Sequence, residues 1–181
     1  MSYLARILNN THSQLLQEHL KVVARLTSTS LPKKFEQVGW YAGLWHDLGK
    51  YIDKWQKYLR GNSSRVNHST QGAMLALELC ENPNIVPAIA FVIAGHHAGL
   101  KSPTRLESQD FEILGANYNE ALHIAQQEID NFVPSNLPDI NLPTLRREFA
   151  IRMLFSALVD ADRLDAMRFE QKCQNPHIME V

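Results

Sequence analysis

The order of apolar and polar positions reads as a succession of helices. From Leu15 to Thr27 apolar residues fall at Leu15, Leu16, Leu20, Val22, Val23 and Leu26, close to a helical period. Ser28 to Pro32 breaks the pattern. A second periodic stretch runs from Phe35 to Leu59. Val38, Tyr41, Ala42 and Trp45 recur at i, i+3, i+4 and i+7, Gly49 bends or ends the helix, and Ile52, Trp55 and Leu59 continue beyond it. Residues 61–67 are a polar loop, and Ser69 or Thr70 is a cap for a helix reaching Cys80. The next helix opens between Pro83 and Pro87, where an early proline costs least, and ends near Gly95. Ala98 to Gln109 reads as loop, Phe111 to Phe132 as helix, and the proline-rich stretch Pro134 to Pro143 as a connector. Thr144 to Glu170 is a long last helix with Phe149, Met153, Leu154, Leu158 and Ala161 on one side. Strand signals are weak, with no sustained alternation and no Asn-Gly or Asp-Gly turn. The pattern predicts an all-α fold, with residues 1–181 as a single domain.

Composition narrows the class. A chain of 181 residues with 45% hydrophobic and 20% charged residues is ordinary for a globular domain and long enough to bury a core without staples. A net charge of −1 excludes a protein that coats nucleic acid by bulk charge. Cys80 and Cys173 lie far apart and outside any CxxC pattern, which fits a reducing compartment. The N-terminal residues carry no apolar signal region, and the apolar run Ile85–Ala94 is too short to span a bilayer. The expectation is a cytoplasmic protein with no membrane partner.

The eight histidines change the picture. Histidine is the commonest metal ligand and the usual acid or base near neutrality. His46-Asp47 stands in the run Trp45-His46-Asp47-Leu48-Gly49-Lys50. Such a dipeptide carries little alone, and its plain reading is a helix C-terminal turn with a solvated acid. His19 lies in the first helix, His68 at the start of another, and His96-His97 at the end of the Ile85–Gly95 helix. Near the C-terminus comes Asp160-Ala161-Asp162-Arg163-Leu164-Asp165. Several of these positions are helix ends, which can converge on one concave point while the helix bodies pack as a core. Imidazole with carboxylate suits Mn, Fe, Co, Ni or Zn better than Ca. Two such ions roughly 3.5–4 Å apart can clamp a phosphodiester. Asp47 is the natural bridge, and Lys50, four residues after His46, is placed to neutralise a phosphate oxygen.

Taken together these segments resemble the HD metal-dependent phosphohydrolases and, more narrowly, the HD nuclease of type I CRISPR systems. The resemblance is carried by Leu44 to Lys50, Trp55-Gln56-Lys57-Tyr58-Leu59, His68-Ser69 with Gly72-Ala73, Ile93-Ala94-Gly95-His96-His97, and Ser156 to Asp165, spread over residues 15–170. It implies a compact helical HD-domain fold with a metal site at converging helices. It also implies hydrolysis of single-stranded DNA, endo- or exonucleolytic, in CRISPR interference, beside a helicase and a guide-RNA surveillance complex. The cofactors implied are two divalent transition ions (Mn, Fe, Co or Ni, with Mg admitted). His19, His46, Asp47 and a late Asp would hold one ion; Asp47, His68, His96 and His97 would hold the other. Ala161-Asp162-Arg163-Leu164 matches the wider superfamily and points to Asp162; Asp160 lies about 200° away around a helix. Gly43 to Lys50 misses a P-loop by one residue of glycine spacing, so no helicase is present. The expected form is the nuclease-only one, the other being a segment that ends before a helicase.

Two other functions fit less well. One is an HD phosphohydrolase acting on nucleotides or cyclic nucleotides, and against its cyclic-dinucleotide form no Gly-Tyr-Pro follows His97. The other is a non-catalytic helical interaction module, disfavoured because every expected ligand type is in place. His12, His123 and His177 match nothing and read as surface residues. Trp55 and Tyr58 read as core aromatics before base-stacking platforms, and Lys54, Lys57, Arg60 and Arg65 as a solvated face before a DNA track.

Overall fold

A computed structural model describes residues 2–9, 11–64, 66–80, 87–100, 117–138 and 140–175. The chain is mostly helical, as its periodicity requires. Helix α1 (Leu16–Thr29) buries Leu16, His19, Leu20, Val23, Ala24 and Thr27, one unbroken stripe in which a histidine takes an apolar position. This stripe packs on α2 (Glu36–Trp45) and on a long helix near the C-terminus, here α7 (Thr144–Gln174). The α1–α2 approach is close because α2 carries a glycine there. A Cβ on Gly43 would stand 2.5 Å from the Ala24 Cα.

The expected helix from Phe35 to Leu59 is in fact three pieces. Helix α2 ends at Trp45, a 3-10 turn covers Leu48–Tyr51, and α3 runs from Asp53 to Leu59. The break starts at His46-Asp47, before Gly49. Gly49 serves a different purpose: its N–H donates to the His68 carbonyl at 3.1 Å, and a Cβ there would sit 2.5 Å from that same oxygen. Only glycine lets this turn touch the strand of chain that carries His68.

Helices α4 (Thr70–Glu78) and α5 (Ala88–Gly95) complete the wall, α5 being buried at every position but Ala94. Helix α6 (Tyr118–Glu128) packs on the 3-10 turn. The expected helical residues 111–116, and the start of α5 before Pro87, lie outside the described residues. Trp45, wholly buried, donates its indole N–H to the Phe132 carbonyl at 2.9 Å and so ties the end of α2 to the chain beyond α6.

Two corrections follow. An antiparallel hairpin, β1 (Leu4–Leu8) and β2 (His12–Leu15), precedes α1. Its connection has no glycine; Asn9 takes the left-handed conformation at φ 50°, which asparagine tolerates better than most residues. In α7 the core stripe is Ala150, Leu154, Leu158, Ala161 and Asp165, whereas Phe149, expected inside, is 71% exposed. Among the described residues no helix is long and apolar enough to cross a membrane.

Candidate metal centre

The ends of the helices meet. His46 is the residue after α2 and His96 the residue after α5, where the last carbonyls of a helix lack intrahelical partners. Each imidazole uses one. His46 Nδ1 lies 2.7 Å from the Gly43 carbonyl, and His96 Nδ1 2.6 Å from the Ile93 carbonyl. A carbonyl only accepts, so both Nδ1 atoms carry the proton and both Nε2 atoms are aimed elsewhere. His68 is held by a local turn in which Asn67 Oδ1 accepts from the Ser69 N–H at 3.0 Å and the Ser69 hydroxyl at 3.1 Å.

All of these Nε2 atoms point to Asp47. One oxygen, Oδ2, is 3.2 Å from His19 Nε2 and 3.2 Å from His46 Nε2. The other, Oδ1, is 3.2 Å from His68 Nε2 and 3.6 Å from His96 Nε2. Asp162 Oδ1 joins the first side, 3.6 Å from His19 Nε2 and 3.8 Å from His46 Nε2. His97 joins the second, its Nε2 2.7 Å from that of His68. The result is two groups of four, His19-His46-Asp47-Asp162 and Asp47-His68-His96-His97, sharing Asp47. Asp160 belongs to neither and is exposed.

The site is deeply buried on its first side and open on its second. His19, His46 and Asp47 are inaccessible to solvent, whereas His97 is exposed and, with Val66, Asn67 and His68, lines a cleft of about 350 Å³. Burial by itself would lower the His46 pKa, but Asp47 and Asp162 more than reverse this and push it up to about 10. Burial would likewise raise Asp47, yet His46, Lys50 and His68 hold it well below the usual carboxylate range. His97 moves the other way, down to about 4, through desolvation of its packed ring and the neighbouring His96, so it presents a neutral imidazole.

Whether a cation fits is decided by the polar atoms left over. Buried His46 Nε2, Asp47 Oδ1 and His96 Nε2 make no well-aligned hydrogen bond and meet only the other ligand atoms of the cluster, at 3.2–3.8 Å. These three face the same few ångströms from two segments, the His46-Asp47 turn after α2 and the residue after α5. A divalent cation bound by His and Asp would satisfy all of them, displacing the Nε2 proton that Asp47 and Asp162 stabilise on His46, while Nδ1–H stays on its carbonyl and sets Nε2 as the ligating atom. This buried His/Asp cluster can hold a metal ion.

Lys50 reaches the centre by another route than expected. The chain is not α-helical between His46 and Lys50; the 3-10 turn, closed by the Lys50 N–H on the Asp47 carbonyl at 2.9 Å, brings it round. Its Nζ lies 2.6 Å from Asp47 Oδ2 and 5.3 Å above the Trp55 ring. Lys50 is therefore engaged with the shared carboxylate, and it meets a phosphate only by leaving it. Trp55 is buried against the His68 ring at 4.1 Å, a wall of the cluster. Of the basic cluster, Lys57 is paired with Asp53 and Arg65 lies outside the described residues. His12 and His123 are exposed, and His177 is outside the described residues.

Asp165 is the residue that sequence reasoning missed. It is 5% exposed, and its Oδ2 lies 2.6 Å from His19 Nδ1 and accepts from Gln14 Nε2 at 2.9 Å. Arg6 Nη2 stands over it at 3.8 Å and over Asp162 at 3.5 Å. The hairpin thus braces a carboxylate–imidazole pair that leaves His19 Nε2 free for a cation. The signal was available: Asp165 continues the apolar stripe of α7, a carboxylate where the period calls for a core residue. Asp165→Asn is expected to weaken metal binding by about 10–100-fold, the usual cost of removing an outer partner of a ligating imidazole. Isothermal titration of the chelated protein with Mn²⁺ measures this, and wild-type affinity would remove the role given to Asp165.

Compared with known proteins, the chain matches no protein-family model and no curated relative.

Proposed function

We propose that this protein is a metal-dependent phosphodiesterase of HD type that degrades single-stranded DNA in CRISPR interference, working beside a separate helicase and a guide-RNA surveillance complex. The observation that carries the reading is the pair of His/Asp groups sharing Asp47, with Nε2 and Oδ1 atoms that lack a well-aligned hydrogen bond aimed between them. His19, His46, Asp47 and Asp162 would hold one divalent transition ion, and Asp47, His68, His96 and His97 the second. Bound there, such ions supply Lewis acidity and charge neutralisation for phosphodiester hydrolysis. The chain's own residues do the rest. Asp47 turns one oxygen to each group, Asp165 orients His19, and the carbonyls of Gly43 and Ile93 orient His46 and His96. Lys50 keeps a positive charge beside the shared carboxylate. The cleft at Val66, Asn67, His68 and His97 is the entry for substrate, and a flexible single strand enters a narrow opening more readily than a stiff duplex. A net charge of −1 provides little long-range attraction for DNA, in keeping with a strand delivered by partners.

The test sets substrates against one another. After chelation and reloading with Mn²⁺, the protein should cut circular single-stranded DNA well, duplex poorly, and nucleoside triphosphates and cyclic nucleotides not at all. Full activity in excess chelator overturns the metal reading. Turnover of the nucleotides with the DNA left intact makes it an HD phosphohydrolase of small substrates, and no turnover of either leaves a helical interaction module.

A further inference from the structure

Far from the metal centre, α7 carries an apolar face that no described residue covers. Leu145 and Phe149, one turn apart, are 82% and 71% exposed. With Leu142, Met153 and the nearly buried Phe35 they line a groove of about 410 Å³. Single apolar residues on a surface are ordinary, but a contiguous row seated in a groove marks a contact site. The charged side chains in its lining, Lys34 and Arg146, are cationic, and Lys33 adjoins in the same turn. Of the acids next to the lining in sequence, Glu36 and Glu148, the latter is tied to Arg152 at 2.7 Å. The Lys34 ammonium is held at the rim, 4.7 Å over the Phe35 ring, and Arg146 has no ion pair among the described residues.

We propose that this groove receives an amphipathic helix of another protein, with apolar anchors at i and i+4 facing Leu145 and Phe149 and acidic residues meeting Lys33, Lys34 and Arg146. Charge decides the occupant. A second copy using the same face would set its own lysines and arginine against these, which like-charge contact disfavours. Of the two aromatic rings in the lining, Phe35 is buried with Lys34 over it and Phe149 alone is exposed, where a single strand needs successive aromatic platforms for its bases. An amphipathic acidic helix satisfies both the apolar row and the cationic rim. Phe149 and Asp162 share α7 thirteen residues apart, a distance of roughly 20 Å along the axis. A partner docked here leaves the metal centre open, and the proposal is independent of the reaction assigned to that centre.

The test uses the full chain and a fluorescein-labelled helical peptide about four turns long, with Leu at i, i+4 and i+7 on one face and Glu on both flanks, and a twin with Lys for Glu. Fluorescence anisotropy should show saturable binding of the Glu peptide and none of the Lys twin. Leu145→Ser with Phe149→Ser should weaken binding at least about tenfold without changing melting temperature or bound metal, since both side chains are exposed. Lys34→Glu with Arg146→Glu should exchange the preference between the twins. Failure of the Glu peptide to bind, equal binding of both twins, or displacement of the Glu peptide by an oligothymidylate overturns the proposal. So does a dimer in sedimentation velocity that the double Ser variant dissociates, which would make a second copy the occupant.

Discussion

If Asp47 bridges two ions, as proposed, Asp47→Asn is expected to abolish binding at both His/Asp groups at once. The shared carboxylate presents one oxygen to His19 and His46 and the other to His68 and His96, and among the described residues Asp47 is the one member common to both groups. Outer partners of metal ligands already cost about 10–100-fold in affinity or activity when removed. Loss of a ligand common to two ions should exceed that and, under the proposed function, leave no measurable DNA cleavage. The change has a second effect in the metal-free protein. Lys50 is 7% exposed and lies 2.6 Å from Asp47, so the variant strands its ammonium without a counter-charge. Breaking a buried pair from one side costs about 3–5 kcal/mol, or roughly 6–20 °C of melting temperature in a domain of this size. Adding Lys50→Met should recover most of that stability and none of the metal. Metal content by mass spectrometry, with calorimetric melts of the chelated proteins, separates the two effects. A variant that keeps one ion shows that Asp47 is no bridge.

The two groups should also be separable. Asp162→Asn removes a ligand from the first and touches none in the second; His96→Gln does the reverse. Under the proposed two-ion reading each should halve the bound metal and reduce cleavage by a factor on the order of a hundred or more, since a two-ion clamp would lose one of its ends. Asp160→Asn should change neither, because that side chain is exposed and belongs to neither group. Metal-to-protein ratios of the three variants, measured in parallel, check this. Loss of all metal from both Asp162→Asn and His96→Gln would point to one ion bound by the whole cluster, and a metal-free Asp160→Asn would move the ligand by two residues along α7.

Much of this protein is legible before it folds. The periodicity of residues 15–27 and 144–170 specifies α1 and most of α7, because a helix that must bury one face repeats its apolar residues every three to four positions. The histidines and Asp47 stand out by residue type alone, since metal chemistry draws on few side chains. Other features depend on contacts between distant segments. The hairpin carries no glycine turn, and its worth lies in what Arg6 and Gln14 touch on α7, about 150 residues away. Asp165 has no motif of its own, and only packing shows that the α7 stripe brings it to His19 Nδ1. Asp160 and Asp162 are distinguishable by position on a helix only once that helix is docked. Phe149 is a core residue by type, but it stands 71% exposed on α7, and residue type does not say which face a neighbour covers. Residue type and period therefore determine which elements form and which side chains can ligate. The tertiary structure decides which of them meet, because convergence is set by close approaches such as Gly49 on the His68 carbonyl, between residues that are not neighbours in the chain.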